Sequence, residues 1–132
     1  MSNTIDIDIE TVLAHYLIAA LWSSTHPDTE EPLDDDYDAS DIHESALATS
    51  RADVEAFIES VGDLDLAEYE AVALQHGRDQ MLGHDLWLTR NGHGAGFGTR
   101  GAGEVGEQLD RLASAMMGVD FYPGDDGALY LM

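Results

Sequence analysis

The sequence predicts an α+β domain in which three N-terminal helices precede a small antiparallel sheet of about four strands and one further helix, in the order ααα-ββ-α-ββ. Apolar residues recur at three- and four-residue spacing through positions 1–76, which is typical of helices. From position 84 onward, short apolar segments alternate with turn sequences, which favours strands. Because 132 residues suit one domain, we predict a single domain over 1–132 that joins an acidic helical part (1–76) to a glycine-rich β-α-β part (84–132).

The first helix is predicted over 9–23. Either Asp6 or Asp8 can cap its N-terminus, and acids there suit the helix dipole. Its apolar face is broad enough to take in Ile18 and Trp22. We therefore expect this helix to be well buried, with Trp22 in the core.

An acidic connection and two more helices follow. Pro27, Pro32 and a run of acids oppose helix formation over 24–40, so we expect a long exposed loop there. Apolar stripes predict a second helix over 41–61 and a third over about 65–75.

The C-terminal part is predicted to form two hairpins separated by a helix. Asn91-Gly92 is a strong turn signal between two apolar segments, and a second turn sequence occupies 123–127. The predicted elements are strands over 85–90 and 95–99, a helix over 104–117, and strands over 119–122 and 128–131.

Charge is the most unusual property of the chain. It has 27 acids against five bases, all of them arginine, and a net charge of −22. Residues 1–70 hold 19 acids and one arginine, whereas residues 71–132 hold eight acids and four arginines. Such a chain is repelled by nucleic acid and by anionic membranes, and attracted to basic surfaces. We therefore expect a basic protein partner, with no direct binding of nucleic acid or membrane.

Several function classes find no support in the residues. The absence of cysteine excludes disulfides and thiolate chemistry, and no apolar run is long enough to span a membrane. The N-terminus lacks the features of a signal peptide, so we expect a cytoplasmic protein. The histidines show no metal-ligand spacing, and no catalytic arrangement can be placed. The sequence predicts no enzyme, no cofactor and no metal site.

Two weak motif matches do not change this. Residues 101–106 fit G-x-G-x-x-G, but the chain after them is too short to complete a dinucleotide-binding sheet. Asp34, Asp36 and Asp38 resemble half of a calcium loop, but Ala39 stands where that loop needs glycine. We interpret the first as a flexible helix entry and the second as a solvated acidic loop.

The main candidate site is an acidic surface. Carboxylates spaced along a loop and helices can imitate the phosphates of DNA to a basic groove. The residues predicted to bind the partner are Asp28, Glu30, Glu31, Asp34, Asp35, Asp36, Asp38, Asp41, Glu55, Glu59, Asp63 and Asp65.

A second candidate site is the glycine-rich turn around Arg90, Asn91 and His93. Alternate glycines let a backbone approach a ligand closely, and a histidine can transfer protons near neutral pH. The alternative is a purely structural hairpin in which Arg90 pairs with one of the many acids.

The chain resembles a group of small acidic proteins encoded by bacteriophages. The likeness rests on a DLWLTRNGHGAGF-type signature at 83–97 and continues through the helix at 104–117 and the ending at 122–127. It also reaches back to the segment at 20–24 and the acidic loop. Gly98 departs from the group, whose members usually carry a second aromatic residue there. The resemblance implies a viral accessory protein of the host cytoplasm and no particular chemistry.

Three functions follow from these observations. The first is a phage accessory protein that inhibits or modulates a basic host nucleic-acid-binding or defence protein, as a DNA mimic. The second is a small enzyme or ligand-binding module centred on the turn from Arg90 to Gly94. The third is an acidic structural protein whose charge reflects adaptation to high salt. A GC-rich genome also favours arginine over lysine and enriches aspartate.

Overall fold

A computed structural model describes residues 7–62, 64–73, 77–92 and 95–131. Within these ranges the chain forms five α-helices, three short 3-10 turns and one two-stranded antiparallel sheet. The helices are α1 (Ile9–Ser23), α2 (Glu44–Val61), α3 (Ala67–Val72), α4 (Arg78–Arg90) and α5 (Gly103–Ser114), and the strands are β1 (Phe121–Pro123) and β2 (Leu129–Leu131).

The predicted α+β architecture with a four-stranded sheet is wrong. The segment 85–90 belongs to helix α4, and residues 95–99 contribute the 3-10 turn Phe97–Thr99 instead of a strand. The cause lies in the burial of α4, in which every residue from Met81 to Arg90 is buried except His84. Because Asp85, Thr89 and Arg90 are buried beside apolar residues, the polar positions of α4 do not mark a surface face, and the helical period is hidden.

Two predicted helices and the terminal hairpin agree more closely with the structure. The helix predicted over 9–23 matches α1, and Asp8 caps it by accepting a hydrogen bond from the backbone N–H of Glu10 at 3.1 Å. The helix predicted over 104–117 is present but ends at Ser114. The terminal hairpin is confirmed, with Phe121 paired with Leu131.

The second and third helices are shorter than predicted. α2 starts at Glu44 because the segment Ala39–Asp41 forms a separate 3-10 turn. α3 covers only Ala67–Val72, and the predicted end at position 75 lies outside the described residues.

Helices α1 and α4 form the main contact of the fold. They approach so closely at Gly83 that a Cβ atom there would lie 2.1 Å from the Val12 carbonyl oxygen. One turn along α4, the Trp87 ring packs edge-on against Tyr16 at a centroid distance of 5.3 Å, and against Phe121 at 5.7 Å. This contact joins the first helix to the C-terminal hairpin.

A second aromatic group connects the remaining helices. The Phe97 ring stacks on Phe57 of α2 at 5.6 Å and meets Tyr69 of α3 at 5.5 Å. Gly96 holds Phe97 in place with a φ of 134°, and a Cβ atom at Gly96 would lie 2.1 Å from the Thr89 hydroxyl oxygen. The glycines of the 83–97 signature therefore allow close packing as well as turning.

No helix within the described ranges is both long enough and apolar enough to cross a membrane.

Replacement of Gly83 by alanine should destabilise the protein by about 3 kcal/mol, because the added methyl group forces α1 and α4 apart. The matched control is Gly98→Ala, where a Cβ atom meets only the end of the Asp110 side chain at 3.2 Å. Urea unfolding of the two variants measures the difference. Equal stabilities would contradict the proposed role of the α1–α4 contact.

Candidate functional site

The acidic segment between α1 and α2 is folded back on itself. Leu33 is buried, and its backbone N–H donates to the Ser24 carbonyl oxygen at 2.9 Å. Thr25 pairs with Pro32 in an antiparallel bridge, and the Tyr37 N–H donates to the Leu33 carbonyl oxygen at 2.9 Å. The expected long exposed loop therefore has an ordered backbone that is held by the buried Leu33 and by these backbone hydrogen bonds.

Part of this segment is fixed by its own carboxylates. The Asp38 side chain accepts from the Ser40 N–H, and the Asp41 side chain accepts from the Asp38 N–H, both at 2.9 Å. These reciprocal bonds form a capping box around the 3-10 turn. Hydrogen bonds from the Ser40 hydroxyl and N–H lower the pKa of Asp38, so that carboxylate stays charged in weak acid.

The predicted partner-binding acids lie on the surface wherever the structure describes them. Asp63 lies outside the described residues, and Asp41 is half-buried. None of the described members forms an ion pair within 4 Å with a described arginine or histidine. The exposed members are Asp28, Glu30, Glu31, Asp34, Asp35, Asp36, Asp38, Glu55, Glu59 and Asp65.

The arginines pair with acids that lie outside the predicted binding surface. Over the described ranges, four of the five arginines form ion pairs, and none of their partners belongs to the predicted binding surface. The pairs are Arg51–Glu10, Arg78–Glu70, Arg78–Asp79, Arg90–Asp53 and Arg100–Asp85. Within the part of the chain that the structure describes, no arginine therefore forms an ion pair with the carboxylates of the acidic segment.

Asp85 is a fully buried charge with a complete set of partners. The Arg100 guanidinium donates to it through Nε at 3.1 Å and Nη2 at 2.7 Å, and the Tyr69 hydroxyl donates at 2.6 Å. Burial, with the charge of Asp85, raises the pKa of Tyr69 well above its ordinary value, so the hydroxyl stays protonated. This group joins α3, α4 and the segment before α5.

Arg90 has a similar role at the other end of α4. Its guanidinium donates to the Met116 and Met117 carbonyl oxygens at 3.1 and 2.8 Å, just beyond the end of α5. Its Nη1 donates to the Tyr16 hydroxyl at 3.0 Å and to the Asp53 carboxylate at 2.9 Å. One buried side chain therefore joins α1, α2, α4 and the turn after α5.

Asn91 completes this corner of the fold. Its Nδ2 donates to the Trp87 carbonyl oxygen at 3.0 Å, and its Oδ1 accepts from the Val119 N–H at 2.9 Å. Two of the three residues in the proposed ligand turn thus make contacts that hold the fold together. The third, His93, lies outside the described residues.

Trp22 is a surface residue, although the apolar pattern of α1 predicts it in the core. Its side chain is 57% exposed, and that of Ile18, one turn earlier, is 55% exposed. The two lie on the side of α1 opposite the buried Leu13 and Tyr16, whereas Trp87 is buried. Helical spacing alone places Ile18 and Trp22 away from the core face, so the signal was present in the sequence.

Comparison with known proteins identifies no relative: no protein family, no curated protein and no solved structure matches the chain. Among the described residues, no three histidines or acids are grouped as metal ligands would be.

Substitution of Asp85 by asparagine should destabilise the protein by about 3 kcal/mol, because it leaves the Arg100 guanidinium without its carboxylate. Asp35→Asn removes the same charge from the surface and should leave the free energy of unfolding unchanged. Chemical unfolding at neutral pH compares the two. A loss of equal size in both variants would show that net charge, and not the buried pair, sets the stability.

Alkaline pH should unfold the protein partly through Tyr16. Burial raises the pKa of Tyr16 from 10.0 to about 12, against the opposing effect of Arg90. Its contribution to stability is therefore complete below about pH 10 and is lost as the pH rises through about 12. The free energy of unfolding, measured across this window, should fall less steeply in Tyr16→Phe than in the wild type. The same pH dependence in both proteins would show that Tyr16 is not responsible for the alkaline loss of stability.

Proposed function

We propose that this chain binds a basic host protein that handles nucleic acid or takes part in defence, and that it inhibits or modulates that protein by occupying its nucleic-acid surface. The observation that carries the proposal is the ordered acidic segment from Asp28 to Asp41. All of its carboxylates except that of Asp41 are exposed, none has an ion-pair partner among the described residues, and the backbone that carries them is held by the buried Leu33.

Preorganised charge suits this function better than a flexible acidic tail. A disordered tail loses conformational freedom when it binds, whereas carboxylates on a folded segment are already in position. Exposed charges also steer diffusional encounter, which accelerates binding to a surface of opposite sign. The likeness to small phage proteins supports an accessory role in the host cytoplasm.

The first experiment is capture of partners from host lysate by the tagged protein at about 0.1 M and about 1 M salt, where the Debye length falls from about 10 Å to about 3 Å. We expect a basic nucleic-acid-binding or defence protein to be captured at low salt and released at high salt. Capture that is tight and insensitive to salt would contradict the proposal.

Neutralisation of the acidic segment should weaken binding more than neutralisation of exposed acids elsewhere. The variant Asp34→Asn/Asp35→Asn/Asp36→Asn should bind the partner about tenfold more weakly, because each exposed charge contact contributes modestly to the binding free energy. The control Glu104→Gln/Glu107→Gln/Asp120→Asn carries the same net charge and should bind like the wild type. Titration calorimetry with the captured partner measures both.

Equal losses in the two variants would mean that total charge, and not this surface, attracts the partner. Circular dichroism at about 10 mM salt, where the Debye length is about 30 Å, is the matching control for folding. Retained helix is expected. Unfolding at that salt concentration would assign the charge to a high-salt habitat.

A further inference from the structure

An exposed indole lies near the end of the helix that leads into the acidic segment. Trp22 lies in the last turn of α1 with Ile18 one turn before it, and both side chains are more than half exposed. The His84 ring lies 6.3 Å from the Trp22 ring at an angle of 37°. Exposed tryptophan is costly in water and is the residue type most enriched at binding hot spots.

Trp22 lies in a stretch of the chain that has neither acids nor arginines. No charged residue occurs from position 11 to position 27, although the chain carries 27 acids in 132 residues. The acids follow along the chain: Thr25, which pairs with Pro32, is three residues from Trp22, a span of at most about 10 Å. The loop closed by this pair carries Asp28, Glu30 and Glu31.

We propose that Trp22 takes the place of an unpaired base, and that the partner is a protein whose basic groove binds single-stranded nucleic acid on aromatic side chains. This inference rests on the proposed function and narrows the class of partner. A duplex presents phosphates outward and hides the faces of its bases, so a mimic of duplex DNA has no use for a projecting ring. A single strand presents both phosphates and base faces, and its binding proteins stack the bases on aromatic platforms.

The acids and the exposed indole of this chain match the two parts of a single strand, its phosphates and its base faces. The carboxylates of the loop correspond to phosphates, and the exposed indole corresponds to a base. Stacking on an aromatic ring does not depend on the identity of the base, so an indole can replace it. The contact is then electrostatic at the rim and apolar at its centre.

Two synthetic peptides of equal charge test the inference. One has eight lysines and two glycines, and the other has eight lysines and two tyrosines at the same positions. We expect the tyrosine peptide to bind the wild-type protein about fivefold more tightly at low salt, since stacking adds to the charge attraction. Quenching of the exposed Trp22 should report the contact, because Trp87 is buried.

Variants of the exposed apolar residues supply the controls. Trp22→Ala should abolish the preference for tyrosine and leave the affinity for the glycine peptide unchanged, whereas Trp22→Phe should retain part of the preference. Val72 of α3 is apolar and 39% exposed, and Val72→Ala should leave the binding of both peptides unchanged. Calorimetry measures all four proteins without relying on tryptophan emission.

The outcomes separate this inference from the proposed function. Equal, salt-sensitive binding of both peptides would leave the acidic surface in place and overturn the role of Trp22. A tyrosine preference that survives Trp22→Ala would do the same. Self-association of the protein alone, abolished by Trp22→Ala in sedimentation velocity, would assign this face to a second copy of the chain. Failure of both peptides to bind at low salt would overturn the proposed function as well.

Discussion

Two buried charges of opposite sign on one helix constrain the whole fold. Asp85 and Arg90 lie in α4, and each must be fully partnered, because an unpaired charge in the interior is strongly destabilising. Asp85 is satisfied by Tyr69 and Arg100, which fixes α3 and the segment before α5. Arg90 is satisfied by α1, α2 and the turn after α5. The close contact at Gly83 then sets the depth at which α4 lies against α1.

The sequence predicts α5 and the terminal hairpin from their polar and apolar faces, and it predicts α1 from the three- and four-residue spacing of its apolar residues. The structure confirms all three. α4 is different, since only His84 interrupts the burial from Met81 to Arg90. Its charged residues look like the polar positions of a strand and a turn, and only tertiary contacts show that they face inward. The same limit explains Trp22, which apolar character placed in the core although its helical position faces outward.

The chain separates its few cations from most of its anions. Among the described residues, Arg90 and Arg100 are drawn into the fold, and Arg51 and Arg78 pair with acids outside the 28–41 segment. The sequence shows which acids are exposed, because a run of carboxylates resists burial. It does not show that the backbone carrying them is ordered, since that depends on the burial of Leu33 and on the Thr25–Pro32 pairing. The resulting surface is negative and already in position, which is the property that the proposed function uses.

Competition with nucleic acid tests this account most directly. The captured partner is loaded with its own nucleic acid, and the chain is titrated in at fixed low salt while the bound nucleic acid is followed by fluorescence anisotropy. We expect complete displacement, with an apparent affinity that falls in proportion to the nucleic acid added, because both ligands occupy one basic surface. A stable complex that holds the partner, the nucleic acid and this chain together would contradict it.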